Sequence, residues 1–307
     1  MKNKFLIALL LIFTLSLSGC TKAPVNSNPT VQQKIEQNNY VGTEIFDGVY
    51  YDEQQIQTKD NKNVNTFVLT ISKANNNLEV AAGVPDDTTP LEPGVVQTTT
   101  TQAMCAESNG KYVIAAINAD YFHMDDNEKI QPCSVTIKDG QKLTEFKKSR
   151  WDRDCFFGIK NDGTAVLGDE SVYKDVEKDL YQAVGGGPWL IKDGAVTGID
   201  DNSRHPRTAV GILEDGSVIM VVADGRRSKT VGFSYSELAE YMLSLGCIEA
   251  VNLDGGGSTT MAIKIPDEKD PAFDYFEVKN NPSDNLERPV GNTLLIIDTS
   301  KTTNAEE

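Results

Sequence analysis

The chain has few of the side chains that most often carry enzyme chemistry. Its 307 residues include only two histidines and five cysteines. No HExxH motif and no histidine or cysteine ligand spacing occurs, which argues against a zinc site. No cysteine lies in a helpful motif, and two histidines leave little to activate a thiol nucleophile. The glycine-rich stretches form neither a Walker loop nor a GxGxxG motif before a long helix.

Positive charge is also in short supply. Lys and Arg number 29 against 45 Asp and Glu, which gives a net charge of −16. Nucleic-acid surfaces are normally basic, so this balance excludes a nucleic-acid partner. Hydrophobic residues make up 39% of the chain, enough for a globular core in one large or two small domains.

The apolar run near the N-terminus is too short for a comfortable membrane span. Lys2 and Lys4 precede it, Phe5–Leu15 form it, and small residues lead to Cys20. This order is typical of an export signal. Its end, Leu17-Ser18-Gly19-Cys20, resembles a bacterial lipobox, in which the cysteine is acylated and becomes the new N-terminus. An ordinary cleaved signal with an incidental cysteine is the alternative.

We therefore predict four segments. Residues 1–20 are a lipoprotein signal peptide, 21–40 a polar tether, 41–300 the folded domain and 301–307 a polar tail. The predicted location is the outer face of the bacterial cell membrane, where the chain is anchored by a lipid on Cys20.

Export would place the remaining cysteines in an oxidising compartment, where two disulfides in three connectivities are open to them. Cys133 and Cys155 both lie in strand-like runs, so a disulfide between neighbouring strands is one candidate. Four buried free thiols, at Cys105, Cys133, Cys155 and Cys247, are the alternative.

Strand-like alternation dominates the rest of the chain, and Asp-Gly turns within it are a strong hairpin signal. These turns occur at 139–140, 162–163, 193–194 and 215–216. Two stretches favour helices: 96–108, and more clearly 234–245, where Ser234 is followed three residues later by Glu237. Many hairpins and few helices predict an α+β fold with mixed or antiparallel sheets, a few packed helices and a single catalytic domain.

The same sequence pattern follows both predicted helices. Each is followed by a glycine turn, a short apolar strand and an Asn-x-Asp sequence, Asn118-Ala119-Asp120 in one case and Asn252-Leu253-Asp254 in the other. In a strand, residues i and i+2 lie on the same face. We expect the two copies to converge on one site; the alternative is that they merely cap strand ends.

The second copy continues into three glycines and three hydroxyl residues, Gly255 to Thr260. Bare backbone allows close approach of a ligand, and hydroxyls and N–H groups suit an anion or a sugar. A glycine-rich turn capped by Asp254 is the alternative. Arginines cluster at 204–207 and 226–227, where guanidinium forks could match phosphate oxygens or simply form surface ion pairs.

Six motifs then occur in order. They are INADYF (117–122), GGGPWL (185–190), RHPRTAVGI (204–212), ADGR (223–226), LGCIEAVNLDGGGSTTM (245–261) and RPVGNTLLI (288–296). Together they resemble the phosphodiester glycosidase family over roughly residues 65–297. The resemblance implies hydrolysis of a sugar-1-phosphodiester, similar to an N-acetylglucosamine-1-phosphodiester, at the glycosidic C–O bond. The products would be a free sugar and a phosphomonoester.

The resemblance also implies a set of site residues. The catalytic residues would be Asp254, Asn252, Arg207 and Asp224. The substrate-binding residues would be Asn118, Gly255, Gly256, Ser258, Thr259 and Arg288, to which the arginine cluster adds Arg226. One departure concerns Asp120, because the family commonly has small residues at Ala119-Asp120. Asp254 would be nucleophile or base, Asn252 would orient sugar hydroxyls, and arginine would stabilise the departing phosphate.

The implied partner is a phosphate-linked glycan of teichoic acid or polysaccharide type. No cofactor is required, although Asp120, Asp224 and Asp254 could offer hard oxygen ligands to calcium. Two other functions stay open. One is a non-catalytic cell-wall glycan-binding lipoprotein, and the other is a phosphodiesterase that cuts the P–O bond.

Overall fold

The computed structural model describes residues 40–303 except 93, 125–129, 148–153, 200, 202 and 268–273. The predicted signal peptide with Cys20, all but the last residue of the tether, and residues 304–307 of the tail lie outside the described residues. Within residues 40–303, as far as they are described, no helix combines the length and apolar character needed to cross a membrane.

The described chain folds into twenty strands and three α-helices. The strands are β1 (Thr43–Phe46), β2 (Val49–Gln57), β3 (Asn63–Ile71), β4 (Leu78–Gly83), β5 (Val113–Asn118), β6 (Phe122–Met124), β7 (Ile130–Pro132), β8 (Thr136–Lys138), β9 (Gln141–Thr144), β10 (Cys155–Lys160), β11 (Ala165–Asp169), β12 (Leu180–Gly186), β13 (Trp189–Lys192), β14 (Ala195–Val196), β15 (Arg207–Leu213), β16 (Val218–Ala223), β17 (Cys247–Asn252), β18 (Met261–Ile265), β19 (Tyr275–Val278) and β20 (Thr293–Asp298). The helices are α1 (Thr99–Ser108), α2 (Glu170–Val176) and α3 (Tyr235–Ser244).

Three large sheets carry the fold. The eight-stranded sheet has the order β1-β2-β3-β16-β15-β17-β13-β14, and the two five-stranded sheets have the orders β19-β18-β5-β20-β4 and β11-β10-β12-β8-β9. The pairings between their strands are antiparallel, for example β5 with β18 and β15 with β17. This confirms the α+β class and makes the sheets antiparallel.

One core fills the space between the sheets. Met220 of the eight-stranded sheet, Leu294 of the β5 sheet and Phe157 of the third sheet belong to the same buried cluster. The opposite face of the eight-stranded sheet is covered by α3 through Leu238 and Met242. The eight-stranded sheet is therefore packed on both faces, which fixes the ends of its strands. The candidate site described below lies at such strand ends.

The local predictions agree with the structure. All four Asp-Gly turns join paired strands. Asp139 and Gly140 have φ of 52° and 76°, the left-handed pair that a tight hairpin turn requires. Helix α3 has the full capping box, in which Glu237 N donates to Ser234 Oγ and Ser234 N donates to Glu237 Oε2.

The helix boundaries were predicted less well. Helix α1 begins at Thr99, three residues later than the pattern indicates, with Thr98 as its N-cap. Helix α2 was not predicted, because its seven residues are too few to show a periodic pattern. Its local signal is the side chain of Asp169, which accepts hydrogen bonds from the N–H groups of Ser171 and Val172.

The predicted disulfide between Cys133 and Cys155 is wrong. Cys155 is a buried free thiol, as Cys247 is. Cys155 lies in β10, whereas Cys133 lies ahead of β8, and β12 separates β8 from β10 in the sheet. Strands two apart are separated by about 9.5 Å, and disulfides need Cα atoms within about 7 Å. Burial raises the pKa of the Cys155 thiol to about 12, so it stays protonated.

Candidate active site

The two Asn-x-Asp sequences meet, as the sequence predicts. The first begins at Asn118, the last residue of β5, and the second at Asn252, the last residue of β17, and these strands belong to different sheets. Asn118 Nδ2 donates to the carbonyl of Asp254 at 2.6 Å, and the N–H of Asp254 donates to the carbonyl of Ala119 at 2.9 Å. The reciprocal hydrogen bonds join the two sheets at one point and fix the backbone of Asp254.

Asn118 is a fully buried hub rather than a surface residue. Its Oδ1 accepts from Thr208 Oγ1 at 2.8 Å and from the N–H of Thr260 at 3.0 Å. The amide therefore connects β5, β15 and the end of the glycine loop (residues 255–260). Asn118 is 0% exposed and positions the loop through these hydrogen bonds; its contact with a ligand stays a prediction.

Asn252 has a similar place on the other copy. Its Nδ2 donates to Tyr121 Oη at 2.6 Å and to the carbonyl of Gly187 at 3.2 Å, and Tyr121 Oη donates to the same carbonyl at 2.8 Å. Asn252 is 0% exposed. These contacts hold Asn252 at the end of β17, and the contact with sugar hydroxyls that the resemblance implies stays a prediction.

The glycine loop is bare because protein groups press against it. A Cβ on Gly255 would lie 2.6 Å from the carbonyl oxygen of Pro206, and one on Gly256 would lie 3.1 Å from the Arg226 guanidinium. A Cβ on Gly257 would overlap the guanidinium of Arg288 and the carboxylate of Asp284. The missing side chains thus admit the guanidinium groups of Arg226 and Arg288 against the loop that follows Asp254.

Arg207 is not one of these groups. Its Nε donates to the carbonyl of Phe233 at 2.9 Å, its Nη2 donates to Asp201 at 2.8 Å and to the carbonyl of Ser203 at 3.0 Å, and its guanidinium stacks on Tyr235. The side chain is 5% exposed. These contacts occupy the fork that the sequence assigns to phosphate, so the structure gives Arg207 a structural role.

Asp224 is also buried behind the glycine loop. Its Oδ1 accepts from the N–H of Asn281 at 2.9 Å and from Asn280 Nδ2 at 3.4 Å, and Asn280 Nδ2 donates to the carbonyl of Thr259. Burial raises the pKa of Asp224, and the hydrogen bond from Asn281 opposes this effect. Asp224 holds the segment after β19 against the loop, and its catalytic role stays a prediction.

The aspartates of the calcium hypothesis do not converge in the part of the chain that the structure describes, where no group of three acidic, histidine or cysteine side chains is arranged to hold a metal. Asp120 points toward Gly185, and its Oδ2 accepts from the N–H of Ser134 at 2.8 Å, whereas Asp224 faces Asn281. These residues do not fit a calcium site.

Accessibility divides the predicted site residues into two groups. Solvent reaches Asp254, Gly255, Arg226 and Arg288. The others are at most 5% exposed and act as a scaffold: Asn118, Arg207, Asp224, Asn252, Ser258 and Thr259, with Gly256 also buried. A ligand at this site therefore meets Asp254, a short stretch of glycine backbone and the guanidinium groups of Arg226 and Arg288, of which Arg288 is paired with the carboxylate of Asp284.

Several contributing residues were missed by the sequence reasoning. Tyr121 and Asn292 lie inside recognised motifs, and Asn292 Oδ1 accepts from the N–H of Asp120 at 2.8 Å. His205 contacts Arg226. Asn280 has no motif around it, and its role depends on β19 returning the chain to the loop, which no local pattern shows.

A sequence profile of the phosphodiester glycosidase family matches residues 111–297. This chain belongs to the phosphodiester glycosidase family. One relative is the SPbeta prophage-derived uncharacterized protein YomE of Bacillus subtilis (strain 168). It is 30% identical to this chain over 210 residues, which cover 65% of this chain and 30% of that protein. The human N-acetylglucosamine-1-phosphodiester alpha-N-acetylglucosaminidase is 29% identical over 168 residues, 48% of this chain and 31% of the human protein. The chain thus spans under a third of the length of these relatives.

Solved structures of other proteins share the fold. The catalytic domain of zebrafish N-acetylglucosamine-1-phosphodiester alpha-N-acetylglucosaminidase, auto-inhibited by its pro-peptide, superimposes with a TM-score of 0.61 at 20% identity. The superposition covers 84% of this phosphodiester glycosidase family chain and 86% of the zebrafish chain. A hypothetical protein from Synechocystis gives a TM-score of 0.60 at 12% identity, covering 83% of this chain and 63% of that one.

Proposed function

We propose that this chain hydrolyses the glycosidic C–O bond of a sugar-1-phosphodiester and releases a free sugar and a phosphomonoester. One observation carries the proposal: Arg226 and Arg288 lie against Gly256 and Gly257 of the glycine loop, which directly follows Asp254, a residue that is only partly buried. Guanidinium groups match phosphate oxygens, and a carboxylate can act at an anomeric carbon. The name of the human relative gives an N-acetylglucosamine-1-phosphodiester as that protein's substrate, which supports the same substrate class here.

The arrangement explains how one carboxylate could suffice. Ordinary glycosidases use a second carboxyl group to protonate the leaving oxygen. A phosphomonoester leaves far more readily than an alcohol, and Arg226 and Arg288 would stabilise its growing charge. The phosphate oxygen keeps the electron pair of the broken C–O bond. As a base, Asp254 would take a proton from the water molecule whose oxygen attacks the anomeric carbon. As a nucleophile, it would bond to that carbon first, and water would then cleave this bond to release the sugar and free Asp254.

The place of action follows from the N-terminal sequence. We propose an exported lipoprotein that is held on the outer face of the bacterial membrane by Cys20, where a phosphate-linked glycan of teichoic acid or polysaccharide type would be its substrate. The net charge of −16 makes local guanidinium groups necessary for an anionic ligand, because the molecule as a whole repels one.

The deciding experiment is incubation with a panel of sugar-1-phosphodiesters in ¹⁸O-labelled water, with products identified by NMR and mass spectrometry. We expect free sugar that carries the label and an unlabelled phosphomonoester. Label in the phosphate, with sugar phosphate as product, would show P–O cleavage instead. Saturable binding without turnover would show a glycan-binding lipoprotein.

The reaction as proposed requires no cofactor. We expect the hydrolysis rate to be unchanged after dialysis against EDTA and EGTA, measured with the best substrate of the panel. Loss of activity that is restored by calcium alone would contradict this expectation and assign calcium to the site.

A further inference from the structure

One side of the glycine loop carries a histidine that the proposed reaction does not use. His205 Nδ1 lies 3.3 Å from Arg226 Nε and 3.2 Å from Arg226 Nη2. Guanidinium nitrogens only donate, so Nδ1 is the acceptor in this contact. The ring is therefore neutral in this arrangement, and its single proton is on Nε2.

The backbone of His205 is firmly held. Its N–H donates to the carbonyl of Phe233 at 3.1 Å, and its carbonyl accepts from the N–H of Phe233 at 3.0 Å. Two glycines pack against it: a Cβ on Gly225 would lie 2.9 Å from the carbonyl carbon of His205, and one on Gly232 would overlap its carbonyl group. The backbone that carries the imidazole is therefore held in place.

Arg226, in contrast, has an unfavourable backbone conformation. Its φ is 58°, a left-handed value that costs a non-glycine residue free energy. Its guanidinium reaches the glycine loop, 3.1 Å from the position of a Cβ on Gly256. Among the neighbours of this exposed side chain in the described residues, His205 contacts the guanidinium nitrogens directly.

We propose that His205 is a positioning residue for Arg226: the neutral imidazole holds the guanidinium beside the glycine loop, and protonation releases it. The proposal rests on the proposed function, because the substrate phosphate is the ligand that Arg226 would contact. A protonated imidazole has two N–H donors and no acceptor, so it cannot accept from Arg226.

The surrounding charges favour the neutral ring. Burial, followed by the positive charges of Arg207 and Arg226, lowers the pKa of His205, and Asp201 opposes them. The contact is therefore present at neutral pH and is lost as the pH falls through the lowered pKa of His205. We expect KM for the diester to rise in acid, with a smaller change in kcat.

The kinetic test compares two substitutions. His205→Asn places an oxygen acceptor near the position of Nδ1 but does not titrate, so KM should stay near the wild-type value and its rise in acid should disappear. His205→Ala removes the acceptor, so KM should rise about tenfold at every pH, the size of a hydrogen bond to a charged group. His123→Asn replaces the other histidine and should behave as the wild type. A wild-type KM that falls in acid would overturn the proposal, because the imidazolium would then bind phosphate itself.

A second test needs no substrate. The chain has two histidines, so an NMR titration shows two imidazole signals. Replacing Arg226 by Gln should raise the titration midpoint of His205, because a nearby positive charge is lost, and should leave the His123 signal unchanged. If the wild type hydrolyses a diester but the His205 midpoint does not move in the Arg226→Gln variant, the inference about His205 is wrong and the proposed function stands. If the midpoint moves but the wild type hydrolyses no diester of the panel, the proposed function is wrong and the contact between His205 and Arg226 stands.

Discussion

Burial separates two kinds of polar residue around the glycine loop. Asn118 and Asn252 are buried. Their amide groups form hydrogen bonds with backbone carbonyls, with Thr208 in the case of Asn118 and with Tyr121 in the case of Asn252. Each would leave unsatisfied buried groups if it were replaced, at a cost of about 1–3 kcal/mol per group. Asp254 differs, because its backbone is fixed by the same network while its side chain is only partly buried.

Asp254→Asn tests the catalytic role directly. The substitution keeps size but removes charge and basicity, so turnover of the diester should fall by roughly a hundredfold or more, the scale of a lost general base. Binding should persist or tighten, because repulsion from the phosphate is gone. The measurements are kcat and the Kd of the intact diester. Asp224→Asn, in a buried position behind the loop, is the control and should lose less than tenfold; equal losses would remove Asp254 from the chemistry.

Arg207→Lys should act on stability rather than on catalysis. A lysine cannot reproduce the contacts of the guanidinium with Phe233 and Asp201, so the free energy of unfolding should fall by about 1.5–3 kcal/mol, measured by urea denaturation. Arg204→Lys is the matched control, because the Arg204 side chain is 27% exposed and its ion pairs are more screened by water. If Arg207→Lys leaves stability unchanged but raises KM tenfold, the sequence-based phosphate assignment was right.

At the scale of elements, the hairpins and the two longer helices were predictable because their signals are local. An Asp-Gly pair or a Ser234–Glu237 capping box needs only neighbouring residues. The disulfide prediction failed because sheet order is not local: β12 enters between β8 and β10 from later in the chain. The contact between Asn118 and Asp254 was predictable only from the repeated helix–turn–strand pattern. Nothing in that pattern shows that the guanidinium of Arg207 forms an ion pair with Asp201.

Gly257→Ala tests whether the loop glycines exist to admit the arginines. Its backbone does not have a positive φ, so the effect of a methyl group is steric: it would displace Arg288 and Asp284. We expect a ten- to hundredfold loss of kcat/KM, the cost of misplacing a binding group by about 1 Å. Gly291→Ala is the control, because its added methyl would meet neighbours at an ordinary 3.4 Å. Thermal unfolding of both variants separates displacement from loss of fold.

At the scale of the whole molecule, the location remains a prediction. Cys20→Ala should leave the chain unprocessed or released from the membrane, because the lipobox position then has no thiol to be acylated. Fractionation and mass spectrometry of the N-terminus would measure this, with the purified variant keeping wild-type turnover. A Cys20→Ala chain that is processed and held at the membrane like the wild type would refute the lipoprotein prediction.

The position of β20 has a consequence for biosynthesis. It is the last of the described strands along the chain, yet it lies between β4 and β5 inside its sheet. The carbonyl of Asn292, one residue before it, accepts from the N–H of Ala119, beside the point where the two sheets meet. A nascent chain therefore carries Asp254 and Arg226 well before β20 is available to join its sheet. We therefore expect the proposed site to form only after β20 has inserted, so a chain interrupted before β20 would lack that site.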